Sequence, residues 1–376
     1  MSTGADLGTL DILLAEILRG APVAAGAVAS NGADAIRARA LAHDVLPLVA
    51  DRLASAADLS PAVRARFQGD VHAAVLHDMR FEAELRRVLR ALAERDVVAV
   101  VIKGSHLAYT HYPRPDLRSR TDADLLIARA SRDAADDVLT RTLGYDTDPK
   151  VSGEFTATQT LYAREEGDAS HMVDLHWRLA SPQLFAHVLS FEELTASGAA
   201  LPALSPHVRM PSDVHALVIA CMHRVAHHHD EDEQFKWLYD IHLLASRFSG
   251  AQWQAFADLV VERGIAAVCL EGLERSAHWF STPIPASLRA DTRVSTSATR
   301  ERTAAYLGSR SQARLVLDDL RALPSWSSRV RLVREHLFPS ENYMRTMYAP
   351  GSALPLPVLY VRRILRGAGG WLRKAG

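Results

Sequence analysis

Two stretches decide how this chain is read: Val97-Val-Ala-Val-Val-Ile-Lys-Gly-Ser105, and then Asp122-Ala-Asp-Leu-Leu-Ile127. Val97 to Ile102 is a short apolar run rich in β-branched residues, the pattern of a buried strand. Gly104-Ser105 ends it, a short helix to about Tyr112 follows, and Pro113 and Pro115 mark a loop. Asp122 to Ile127 reads as the second strand. Side chains two apart in a strand share a face, so Asp122 and Asp124 point one way while Ala123, Leu125 and Ile127 point the other.

Two carboxylates on one face repel each other, and the pair is costly unless a cation sits between them. Hard oxygen ligands at this spacing suit Mg²⁺, which takes one or two carboxylates and completes its shell with substrate phosphate oxygens. A third acid follows in His171-Met-Val-Asp-Leu-His-Trp177, where Asp174 and His176 share a face and Val173, Leu175 and Trp177 take the other. If those strands are neighbours, three carboxylates converge. Lys103-Gly104-Ser105 sits at a strand-to-helix junction. There glycine lets the backbone approach a phosphate, the serine hydroxyl can donate to it, and the helix N-terminus favours an anion. Lys103 and Arg118 are the candidate phosphate cations. Of 43 basic residues only Lys103, Lys150, Lys236 and Lys374 are lysines. In so arginine-biased a chain, a lysine marks a place where arginine would not serve.

Outward from this centre the pattern is helical. Ser60-Pro61 reads as an N-cap and first helical residue, and Val63, Phe67, Val71, Val75 and Met79 continue at helical spacing towards Arg95. Ser131 is placed to cap a helix after the second strand, with Gly144 just past its end. Glu154–Tyr162 and His171–Leu179 read as a strand pair around the turn-rich Glu165-Glu-Gly-Asp168. From Pro211, with Ser212 as N-cap, the signal is helical again. The expected architecture is α+β: a helical region over 1–95, a small mixed-sheet core over 96–205, and a helical domain over 206–376.

Composition bounds the function. A length of 376 residues points to two domains, or one with a large helical extension. Apolar and charged fractions of 48% and 23% are ordinary globular usage. A net charge of −1 argues against a protein built to coat nucleic acid, so bulk nucleic-acid binding is not expected. Cys221 and Cys269 make no disulfide framework and fit a reducing compartment. No apolar run is long enough to span a bilayer, and Asp6, Asp11 and Glu16 interrupt any signal-peptide pattern. A soluble cytoplasmic protein is the default expectation.

The order strand, Gly-Ser, helix, strand with Asp-x-Asp, later strand with one Asp resembles the nucleotidyltransferase superfamily of the DNA polymerase β type. The longer string Val101-Ile-Lys-Gly-Ser-His-Leu-Ala-Tyr-Thr-His-Tyr-Pro113, with Leu117-Arg118, Asp122–Leu126, Leu143-Gly-Tyr145 and Leu175-His-Trp177, is similar to one bacterial branch of it. The likeness extends loosely to Ala42-His-Asp-Val-Leu-Pro47, His223, Trp237, Asp240 and Phe338-Pro-Ser340. Arg120, Thr121 and His176 depart from that branch. The resemblance implies transfer of a nucleoside monophosphate from an NTP, ATP foremost, to a hydroxyl of a small molecule, peptide or protein. It implies two Mg²⁺ (or Mn²⁺) ions held by Asp122 and Asp124, with Asp174 completing the second metal and able to accept a proton. Its rivals are a non-catalytic binding or regulatory module of the same fold and a toxin-like transferase acting on tRNA ends.

Four further features have two readings each. His176 is a partner of the metal ligands or a packed residue. His223 and His227 lie one helical turn apart beside His228 and His229, a metal or acceptor contact or ordinary half-buried histidines. Trp237 and Asp240 line an acceptor or fill a core; with His176 and His223, Trp237 completes the set of candidate acceptor contacts. The basic, amphipathic Val358–Lys374 touches an anionic surface or packs on its own domain with its arginines in water.

Overall fold

A computed structural model describes residues 7–22, 25–147, 153–226, 233–308, 312–349 and 354–373. The expected α+β architecture is present, built on one seven-stranded mixed sheet. Its strands are β1 (Ala99–Val101), β2 (Asp122–Ile127), β3 (Asp146–Thr147), β4 (Gln159–Glu166), β5 (Ala169–His176), β6 (Ala199–Leu201) and β7 (Ser205–Met210). They lie in the order β3-β4-β5-β2-β1-β7-β6. β2 runs antiparallel to β1 and parallel to β5, with Asp124 and Asp174 as direct register partners.

Alternation along β2 decides which face meets which core. Ala123, Leu125 and Ile127 join Val173, Leu175 and the sheet-facing residues of the helix Pro61–Ala93, chiefly Phe81, Leu85, Val88 and Leu92. That helix starts where the sequence places it, with Ser60 Oγ accepting from the Val63 amide at 3.4 Å. The opposite face carries Val100, Ile102 and Leu126 into a second, larger core. There Leu14, Ile17, Ile36 and Leu53, from before the sheet, pack with Phe235, Ile241, Phe256 and Phe280 from after it. The helical segments at the two ends of the chain thus share one body. His43 stacks on Phe235 with ring centroids 4.0 Å apart, and Tyr239 Oη donates to the Leu18 carbonyl at 3.4 Å.

Some local expectations are corrected. The strand expected from Glu154 begins only at Gln159, because the amides of Glu154, Phe155 and Thr156 donate to the Glu335 carboxylate at 2.8, 2.9 and 3.1 Å. Backbone donors engaged by a side chain cannot join a ladder. Its partner ends at His176, not Leu179. β6 and β7, which carry no strict apolar alternation, extend the sheet to Met210, with Leu201 and Val208 buried. After β2, Ser131 makes no side-chain cap, and the segment breaks into a 3₁₀ turn, the helix Arg132–Asp137 and a π turn at Val138–Thr142. Ser212 does accept from the His215 amide, at 3.4 Å, and opens the helix Asp213–Ala226.

Phe235 is the test of the shared helical core. It is buried against His43, Trp279 and Phe280, so Phe235→Ala should cost about 3–5 kcal/mol, read as a lower urea midpoint in a single transition. Separate unfolding of the N-terminal helices would show that the two ends do not share a core.

Candidate active site

The pairing of β2 with β5 brings the expected acids together. Asp124 Oδ1 and Asp174 Oδ2 each lie 3.0 Å from His176 Nε2, which sits between them and is completely buried. Lys103 Nζ is 2.6 Å from Asp124 Oδ1 and 3.4 Å from His176 Nε2. Gln159 Nε2, from β4, donates to Asp174 Oδ2 at 2.7 Å. Asp122 shares their face of the sheet two positions nearer the start of β2.

The electrostatics follow from that crowding. Burial favours the neutral form of Asp124, but Lys103 and His176 outweigh it and hold the carboxyl well below the usual range. At Asp122 burial, and then the charge of Asp124, outweigh the pull of Lys103 and push the carboxyl up to about 6. Burial also works against charging His176, yet Asp174 and Asp124 together lift its pKa above the ordinary imidazole value. Ligand atoms of Asp124, Asp174 and His176 all lie within 4.8 Å of one another, and Asp174 Oδ1 is buried with no hydrogen-bond partner. A buried carboxylate oxygen left bare, inside a ring of acids, fits a divalent cation. With His176 as a hydrogen-bonded bridge the remaining ligands are hard oxygens, which suits Mg²⁺; with its nitrogen as a ligand the site would lean towards a transition metal.

The expected phosphate loop has a strained start. Lys103 adopts φ 55°, ψ −140°, a conformation that costs a non-glycine residue about 1–3 kcal/mol. The twist aims its ammonium back over β2. Gly104 is glycine because of a close approach: a Cβ there would lie 2.7 Å from the Arg118 guanidinium. Ser105 Oγ donates to the Asp122 carbonyl at 3.5 Å and accepts from the Asp124 amide at 3.4 Å, tying the loop to β2. Arg118 is buried and forks onto Asp240, with Nε–Oδ1 2.9 Å and Nη2–Oδ2 2.7 Å, while Tyr112 Oη donates to the same Oδ1 at 2.8 Å. Arg120 pairs with Asp78 and lies over the Phe81 and Tyr109 rings, away from a role as a small residue before the first acid.

These groups line a cleft of about 400 Å³ whose far wall is the helical body. His223, on the helix Asp213–Ala226, and Trp237, on the helix Phe235–Ala245, both face it, with their rings in edge contact at 6.3 Å. His227, His228 and His229 lie outside the described residues. The sequence reading passed over Lys236, which lines the same cleft and pairs with Asp44. Asp44, at φ 55°, also accepts from Ser119 Oγ at 2.6 Å, and the neighbouring His43 carbonyl accepts from the Lys236 amide at 3.2 Å. A signal for Lys236 was present: both described lysines of this arginine-biased chain point into one cleft. Gln159 and the pairing role of Asp240 had no such signal.

Two expectations test the geometry. In the metal-free protein, Asp122 keeps a proton between about pH 4 and pH 6 that the unfolded chain has released, so its contribution is full below that window and lost as pH rises through about 6. Asp122→Asn should therefore raise the melting temperature in EDTA near pH 7.5 by several degrees, on the order of 2 kcal/mol, with the gain vanishing near pH 4. Gly104→Ala should displace Arg118 from Asp240 and cost about 3–5 kcal/mol. Combined with Asp240→Asn, the two losses should fall well short of additive in a double-mutant cycle.

Against known proteins the site finds its frame. No curated protein matches the chain. A solved structure with some likeness is the solution structure of the antibiotic-resistance factor ANT(2'')-Ia. It is 16% identical, with 54% of this chain and 98% of that one covered and a TM-score of 0.34. A family profile described as "uncharacterised nucleotidyltransferase" matches residues 30–281, the span that runs from the helices before the sheet to the far wall of the cleft, and the chain belongs to that nucleotidyltransferase family.

Proposed function

We propose that this protein transfers a nucleoside monophosphate from an NTP, ATP foremost, to a hydroxyl of a small molecule, peptide or protein, with Mg²⁺ or Mn²⁺ as cofactor. The observation that carries the reading is the convergence of Asp124, Asp174 and His176 beside Asp122 at the floor of a cleft that also presents two lysines. Asp122, Asp124 and Asp174 would hold the metal. Bound there, divalent cations supply Lewis acidity towards the triphosphate and lower the pKa of the acceptor hydroxyl.

The chain's own groups have separable tasks. Lys103 and Lys236 are held on Asp124 and Asp44, one from each wall, and turn to the phosphate oxygens when nucleotide enters. Gly104 and Ser105 keep the loop close to β2 and open to the cleft. Arg118 reaches phosphate only by leaving Asp240, so we assign it to holding the loop against the helical body. His176 orients Asp124 and Asp174. Asp174, with one oxygen free of hydrogen bonds, is placed to accept the hydroxyl proton. Trp237 and His223 form the acceptor wall.

The decisive experiment incubates the protein with each α-labelled NTP, Mg²⁺ or Mn²⁺ and fractionated cell extract, and identifies what becomes labelled. Label should pass to a discrete acceptor, and Asp122→Asn or Asp124→Asn should abolish transfer while the protein stays folded. A folded wild type that binds NTP equally well with and without EDTA, and labels nothing, would sink the metal-bridged reading. Lys236→Ala should weaken NTP binding about tenfold or more, because a charge-assisted contact is lost. Lys236→Arg should restore it only in part, since a planar fork and a compact ammonium differ in reach. His223→Ala should reduce transfer with NTP affinity nearly unchanged.

A further inference from the structure

The last part of the chain is charged unlike the rest. Residues 312–376 contain eleven basic and four acidic residues, in a protein whose net charge is −1. The acids of this segment are already engaged. Asp319 accepts from the Gln183 amide at 2.7 Å, Glu335 from the three amides of 154–156, and Glu341 from Arg345 at 2.8 Å. Asp319 and Glu335 therefore anchor the segment to the body. Arg334 and Arg362, by contrast, stand exposed.

Apolar side chains are interleaved with these arginines and face outward. On the helix Trp326–Leu337, Trp326, Val330, Val333 and Leu337 recur at helical spacing on one side, and Trp326 is 78% exposed. Phe338, 52% exposed, continues the surface and meets Tyr360 edge-on at 5.3 Å. The helix Leu356–Arg373 has a packed side, formed by buried Leu359, by Tyr360 donating to the Pro339 carbonyl at 2.9 Å, and by Arg363 donating to Tyr348 Oη at 2.9 Å. Its other side shows Val358, Val361, Ile364 and Leu365, the last 68% exposed, with Arg362 beside them. An apolar stripe edged by arginines, with tryptophan at its margin, is the surface that lies in a bilayer interface. No helix among the described residues is long and apolar enough to cross a membrane.

We propose that the segments 316–349 and 354–365 dock the protein on an anionic lipid surface, with Trp326, Phe338, Val361 and Leu365 entering the interface and Arg334 and Arg362 meeting lipid phosphates. A fluid lipid surface satisfies this face better than an acidic protein. The patch spans three helices, and its shallow groove at Leu317, Leu320, Trp326, Val330 and Val333 is apolar apart from Arg321 and Arg329 at its edge, which suit lipid phosphates, and it offers no acidic side chain to orient a peptide. This inference is independent of the nucleotide reaction.

The test is co-sedimentation of the full chain with vesicles of phosphatidylcholine alone, or of equal parts phosphatidylcholine and phosphatidylglycerol. Binding should be at least tenfold tighter to the anionic vesicles and weaken steeply with salt. Arg334→Gln and Arg362→Gln should each lower it about fivefold, and Leu365→Ser by a similar factor. All three positions are exposed, so melting temperatures should not move. As a second measurement on wild-type protein, bromine-labelled acyl chains should quench tryptophan fluorescence, and Trp326→Phe should remove that quench. Equal sedimentation with both vesicle types, no sedimentation with either, or binding to polyglutamate without binding to vesicles would each overturn the proposal.

Discussion

Two carboxylates, Asp124 and Asp174, are register partners on neighbouring parallel strands, and both are buried. A protein interior cannot hold such a pair bare: each charge has lost most of its water, and each raises the cost of the other. The surroundings read as the answer to that one constraint. His176 bridges the two acids, Lys103 bends through a strained backbone to reach Asp124, and Gln159 donates to the same Asp174 oxygen that faces His176. Asp122, left outside the group of compensators, keeps its proton to about pH 6. The same crowding of buried ligand atoms gives Asp124, Asp174 and His176 the arrangement of a group that could hold a metal ion.

The second requirement is that the sheet and the helical body face each other at a fixed separation. Polar links, buried at Arg118 and half-buried at Asp44, cross between them. Arg118, from the loop before β2, forks onto Asp240, and Tyr112 adds its hydroxyl to the same carboxylate. Asp44, from the N-terminal helices, holds Ser119 on one side and Lys236 on the other. Breaking one partner of a buried pair leaves an uncompensated charge, so such links define distance more sharply than apolar contact does. The cleft is thereby lined by charges from three separate parts of the chain, and both lysines that reach it are tethered to carboxylates.

Much of the chemistry was legible before the fold. Period-two alternation alone puts Asp122 and Asp124 on one side and Asp174 with His176 on one side, and the structure brings Asp124, Asp174 and His176 together, with Asp122 on the same face of β2 as Asp124. Arg118 shows the limit of such reading. A basic residue beside an acid pair suggests phosphate contact, but the residue that engages Arg118 lies 122 positions away and no local pattern announces it. The start of β4 failed for a related reason. Its apolar and polar residues read as strand, but Glu335, from the far end of the chain, captures the amides the ladder would need. β6 and β7 escaped because their pairing depends on an edge offered by β1, while only Leu201 and Val208 among their side chains are fully buried.

By itself the sequence determined the local alphabet: where strands alternate, where Ser60 and Ser212 open helices, and which acids share a face. These follow from backbone geometry and from side-chain spacing over a few residues, which carry no dependence on the rest of the chain. Only the tertiary structure decided that β2 lies beside β5, that the helices before and after the sheet form one body, and that Lys236 and Asp44 belong to the same cleft as Lys103. Those outcomes come from long-range burial and buried charge pairing, where the partner is chosen by shape and compensation across the whole fold and not by anything written next to it.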